Sequence, residues 1–135
     1  MALTISEGDV AVVEVVEQWT APTDEAVTAG QVVRLNTQTG RATLANATTA
    51  AEANAWGIAL TSANQSGITI TALKRGVIDL GNALGSIDYG GTVYLDNTDG
   101  AMGSAAGSVS KVIGRVVPAW GGGTVGDKLL HVDIS

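Results

Sequence analysis

The sequence predicts an all-β protein: a small closed or nearly closed β-barrel or sandwich, built from two related strand-turn-strand units and led by an extended N-terminal arm. Three observations point there. The dominant apolar period is two, as in half-buried strands. Gly, Asn and Asp turn signals separate the apolar runs at short intervals. One stretch also occurs twice, as GQVVRLNTQTG from Gly30 to Gly40 and as GGTVYLDNTDG from Gly90 to Gly100.

The first segment holds five valines between Val10 and Val16, interrupted by Glu14 and closed by Glu17. Val12, Val15, Val16 and Trp19 also fit one helical face. β-Branched residues lose rotamer freedom in a helix, so an extended strand is expected, ended by Pro22. In the repeated stretch, Val33 and Leu35 share a side, as do Val93 and Leu95, and a polar turn follows each pair. Thr49-Ala50-Ala51-Glu52 has the spacing of a capping box, which predicts a helical turn or two. Each copy then leads to a glycine-led strand, Gly57-Ile58-Ala59-Leu60 or Gly114-Arg115-Val116-Val117, with Trp56 expected in the core. A further apolar strand follows in each, Ile68 to Leu73 or Lys128 to Ile134. In the last, Leu130, Val132 and Ile134 share one face; Leu129, His131 and Asp133 share the other. Two such units closing on one another remove most free edges, which otherwise invite aggregation. The expected division is an acidic arm, 1–25, and a β-barrel domain, 26–135.

Composition narrows the chemistry. There are 135 residues, no cysteine and one histidine, which excludes disulfides, thiolate chemistry and the usual zinc sets within one chain. No stretch approaches the ~20 apolar residues of a membrane span. The start, MALTISEGDV, lacks the basic and apolar regions of a secretory leader, so a soluble protein made in the cytoplasm is expected. Charge is unevenly placed. Residues 1–25 carry six carboxylates and no Lys or Arg, whereas residues 26–135 carry seven of each sign, so the whole net charge of −6 sits on the first segment. Nucleic-acid affinity comes from clustered Lys and Arg, which are missing.

Other motifs dissolve on inspection. An EF-hand aligned on the Asp96 to Gly100 turn would need an acidic residue at Leu95 and a glutamate at Ala106. His131 has no Gly-x-Ser-x-Gly elbow to serve, and Gly121-Gly122-Gly123 lacks the Gly-Lys-Ser/Thr of a phosphate loop. Lys74 beside Arg75 makes no carrier hairpin of the lipoyl kind. No catalytic residue, cofactor or metal site is expected. Trp19 and Trp120, each beside a turn or loop, either plug an end of the barrel or anchor an interface, where Trp is enriched.

From Trp56 onward the order WGIAL, SGITITALKRGVIDL, GSIDYGGTVYLDNTDG, KVIGRVV and a final apolar strand resembles the bacteriophage head decoration proteins, also called capsid cement proteins. The resemblance covers roughly residues 26–135, and its specificity lies in the ordered set rather than in any one motif. It implies a small β-rich protein on the outer surface of the assembled phage head. Such a protein commonly acts as a trimer and braces neighbouring subunits of the major capsid protein, without nucleic-acid or membrane partners. The acidic arm, which fits the family less clearly, is then the candidate grip on the capsid or on a neighbouring copy. Its contact residues are Val10, Val12, Glu14, Glu17, Trp19 and Pro22, with Trp120 from the late loop. The alternative is a glycan- or receptor-binding β module of a phage tail, spike or cell surface, for which Trp120 beside three glycines is the hint.

Overall fold

The structure, a computed structural model, describes residues 2–118 and 128–134. Among the described residues the fold is all-β, with nine strands in one strongly curled half-barrel sheet: β1 (Ala11–Pro22), β2 (Val32–Leu35), β3 (Ala42–Leu44), β4 (Ala55–Ala59), β5 (Thr69–Asp79), β6 (Thr92–Leu95), β7 (Met102–Gly103), β8 (Val112–Pro118) and β9 (Lys128–Asp133). The strand order is β3-β2-β4-β5-β9-β8-β6-β7, with β1 paired to β5. It reads the same from either end once the two units are equated, β2 to β5 with β6 to β9.

The duplication reaches the level of single backbone pairs. Val33 lies opposite Gly57 and Arg34 opposite Ala55, with a bulge between; Val93 lies opposite Gly114 and Tyr94 opposite Val112, with a bulge at the same step. Leu35 faces Ala42 as Leu95 faces Met102. Both turns open with the same device, Asn36 Oδ1 accepting from Gln38 N and Asp96 Oδ2 from Thr98 N. Short polar side chains that bond two residues ahead favour such turns. Gly40 and Gly100 then close the turns at φ 72° and 73°, a backbone region that glycine enters without steric cost.

Burial does not follow the repeat. Equated by register, Trp56 of β4 corresponds to Ile113 of β8, yet Trp56 is 36% exposed and Ile113 fully buried. Ile58 is buried where its counterpart Arg115 is exposed. The two units thus turn opposite faces of these strands inward, and the expectation of Trp56 in the core is corrected. The main core joins both units through Val32, Ile58, Leu73, Ile78, Val93, Leu95, Ile113, Leu130 and Val132. A second, smaller cluster of Val33, Ala42, Ala59, Ile70 and Ala72 covers the other face of the first unit. Sequence neighbours such as Val32 and Val33, or Ala72 and Leu73, fall in different clusters because strand side chains alternate between faces.

The two ends of the sheet are stitched by turns rather than by a strand ladder. Gly100 donates to Ala45 O at 2.7 Å and accepts from Val32 N at 2.9 Å, and Ala47 N donates to Asp96 O at 2.9 Å. The Thr49 to Glu52 segment makes one turn, with Ala53 N on Thr49 O and Glu52 N on Thr49 Oγ1, and no helix follows. Leu129, which shares a face with His131 in the alternating pattern, is buried, while His131 is exposed.

Candidate protein-docking surface

β1 is a strand, as its valines suggested, and it runs antiparallel along β5, pairing with every residue of it except Lys74. Among the described residues, β5 is the only strand that pairs with it. The segment is tied at both ends. Before β1, Ala2 bridges to Gly103, Leu3 N donates to Met102 O, and Leu3, Ile5 and Val10 pack against the main core. After it, the Thr23 hydroxyl shares its one proton between Ile68 O and Gln65 O, and Asp24 N donates to Ala42 O.

The pairing has an uneven rhythm that follows the sequence VVEVVE. Val12 faces Ile78, Glu14 faces Val77, Val15 faces Gly76 and Glu17 faces Arg75. Three residues of β1 therefore span two of β5, and Val13 and Val16 are the extra residues. Bulges of this kind bend the strand and re-aim its side chains. Strict alternation is lost, and residues 11–16 are exposed on both sides. Val12, Val13 and Val15 are each 44% exposed and Val16 65%. Four of the large apolar side chains left on the described surface thus lie within five residues of one strand.

Polar and aromatic groups border this strip. Arg75 ties β1, β5 and β9 together, its Nη1 2.7 Å from Glu17 Oε1 and its Nε 3.2 Å from Asp133 Oδ1. Trp19 lies opposite Ala72 and donates its indole N–H to Trp56 O at 2.9 Å. Gly57 leaves room for that indole, since a Cβ there would stand 3.2 Å from Trp19 Nε1. The Lys74 ammonium sits 4.0 Å from the centre of the Trp56 ring, within the range of a cation–π contact.

The structure brings Val12, Glu14, Glu17, Trp19 and Pro22 onto β1, with Pro22 opposite Thr69 at its end. Val10 is half-buried against the main core instead of facing outward. Trp120 lies outside the described residues. Val13, Val15, Val16, Trp56 and Lys74 belong to the surface but were not singled out. The doubled VVE triplet was a legible sign for the valines, because a strand's period of two cannot place all four on one face.

Compared with known protein families and with curated proteins, the chain matches none. The surface is therefore judged on its own chemistry. Among the described residues, no group of three or more His, Cys, Asp or Glu side chains could hold a metal ion, and no helix is long and apolar enough to cross a membrane. The Asp96 to Gly100 turn spends its carboxylates on structure, Asp96 on Thr98 N and Asp99 on the Asn46 side chain. What remains is an acidic strand whose apolar side chains are held out to solvent by a firmly tied backbone.

Proposed function

We propose that this protein is a bacteriophage capsid decoration protein, which binds the outer surface of the assembled head and stabilises it by bridging subunits of the major capsid protein. One observation carries the reading: four exposed valines on a single acidic strand, in a body with a continuous core. An exposed apolar strip of this kind marks an interaction surface. The ordered strand motifs that resemble the decoration family supply the partner.

The physical role is that of a brace. A body joined through one sheet loses little conformational freedom on binding, so more of each contact survives as affinity. Three copies acting together at one position on the head would link weak contacts through effective concentration. Binding that requires the finished shell shifts the equilibrium toward that shell by mass action. On this reading the protein is made in the host cytoplasm and works on the virion exterior.

The test mixes purified protein with undecorated heads, pellets them, and counts bound copies by quantitative gel. Saturable, stoichiometric binding is expected, weakened by the Val13→Thr/Val16→Thr double variant. Point substitutions are preferable to deletion of residues 2–20, which would also uncover β5 and remove Leu3, Ile5 and Trp19 from their packing. Failure of the wild type to pellet with heads would overturn the reading. A glycan-binding module is the second possibility, favoured by the exposure of Trp56. Binding on a glycan array that is lost in Trp56→Ala would select it.

A further inference from the structure

The valine strip invites a question of mode. An exposed edge strand can dock a partner in two ways, by pairing its backbone with an incoming strand or by presenting its side chains. We propose that β1 docks through its side chains, and that its partner is an apolar protein surface rimmed by lysine or arginine. This rests on β1 being the docking face, not on the partner being a capsid.

The case against strand pairing is on the strand itself. Bulges at Val13 and Val16 break the ladder twice within five residues. Glu14 and Glu17 stand in the same stretch, and Pro22 at its end has no N–H to donate. Bulges, edge charges and edge prolines are the devices by which proteins blunt a free edge against added strands. All three occur on β1. The same bulges that spoil the backbone as a template keep four valines exposed, so the apolar content is available to side chains and not to a ladder.

The rim fixes the sign of the partner. The first lysine or arginine in the chain is Arg34, and residues 1–18 contribute Glu7, Asp9, Glu14 and Glu17. On the neighbouring strand Asp79 faces Ala11 across the ladder. Arg75 ties Glu17 at the far end of the strip, and Glu14 and Asp79 place further carboxylates along the paired strands toward its start. A partner there gains by bringing cations, which steer encounter and fix orientation. A second copy of this chain would bring the same carboxylates against each other, so self-association through this face is disfavoured.

Three synthetic peptides test the proposal with the intact protein: an amphipathic helix with a leucine stripe flanked by lysines, the same helix flanked by glutamates, and an alternating Lys–Val strand peptide. Binding is followed by NMR titration. The lysine-flanked helix should shift the methyl signals of Val12, Val13, Val15 and Val16, and its affinity should fall with salt. Val13→Thr/Val16→Thr should weaken it about tenfold or more. Glu14→Gln should flatten the salt dependence, with circular dichroism confirming that both variants stay folded. Equal binding of the glutamate-flanked helix would overturn the proposal. So would protection of β1 amides by the strand peptide, concentration-dependent self-association lost in the valine variant, or shifts confined to another face. Heads that fail to bind would leave a positive result here intact, whereas a negative result here would leave head binding to another surface.

Discussion

Gly76 and the Glu14 carbonyl oxygen approach so closely that no side chain fits between them: a Cβ built on Gly76 would overlap that oxygen. Gly76 also has φ 147°, outside the regions open to other residues. It faces Val15, between the two bulges, so this close approach falls in the middle of the valine strip. Gly76→Ala should therefore cost about 3 kcal/mol or more by urea denaturation. Hydrogen exchange should show the loss first as faster exchange of β1 amides, because the added Cβ meets the β1 backbone at the Glu14 carbonyl. A neutral substitution would mean that β1 is not seated as described.

Trp19 fastens the other half of the same strand. Trp19→Phe removes the N–H that reaches Trp56 O and should cost about 1 kcal/mol. Gly57→Ala pushes on the same indole and on two further neighbours, with 3.1 Å to Ala72 Cβ and 3.1 Å to Leu73 O. The two substitutions share a contact, so their effects should not add. A double-mutant cycle should give a coupling on the order of 0.5–1 kcal/mol, with Gly57→Ala costing less once the indole is gone. Strict additivity would separate the two residues.

The all-β class and the duplicated strand-and-turn unit could be read from the sequence because local chemistry sets them. Gly30 and Gly90, the Asn36 and Asp96 turns, and Gly40 and Gly100 mark where each unit starts and reverses, and the turn bonds at Asn36 and Asp96 are made within two residues. Which face each unit buries is a different matter. Val33 and Val93 occupy matching positions in matching ladders, yet they enter different clusters. That choice is made by how the units meet across β5 and β9, a long-range contact that no short window of sequence contains. Trp56 is misjudged for this reason. The docking surface was half legible. Acidic residues and valines were visible on the first segment, but the bulges that expose them come from a mismatch of register with β5, sixty residues away.

Gly40 and Gly100 offer a controlled comparison, since they share φ and differ in surroundings. A Cβ at Gly40 meets nothing within 4 Å, whereas one at Gly100 would stand 3.0 Å from Gln31 Cβ and 3.1 Å from Leu44 Cδ2. Gly40→Ala should lose about 1 kcal/mol, the cost of a left-handed backbone alone. Gly100→Ala should lose about 2–3 kcal/mol, because it also strains the seam where Gly100 bonds Ala45 and Val32. Equal losses in thermal denaturation would show that the seam yields freely.

The ladder Glu17–Arg75–Asp133 crosses three strands, but its geometry argues for a small effect on stability. The Arg75 and Glu17 side chains are 43% and 44% exposed, so water and salt screen the 2.7 Å contact. Arg75→Gln should cost less than about 1 kcal/mol, and the difference from wild type should shrink as salt is raised. The consequence for docking is larger than for folding. Releasing Glu17 adds a carboxylate to the rim of the valine strip, so the same variant should bind the lysine-flanked helix more tightly at low salt and equally at high salt. A loss of stability above 2 kcal/mol would instead mean that Arg75 holds β1 onto the sheet, and that the first strand is fastened by charge rather than by the close fit at Gly76.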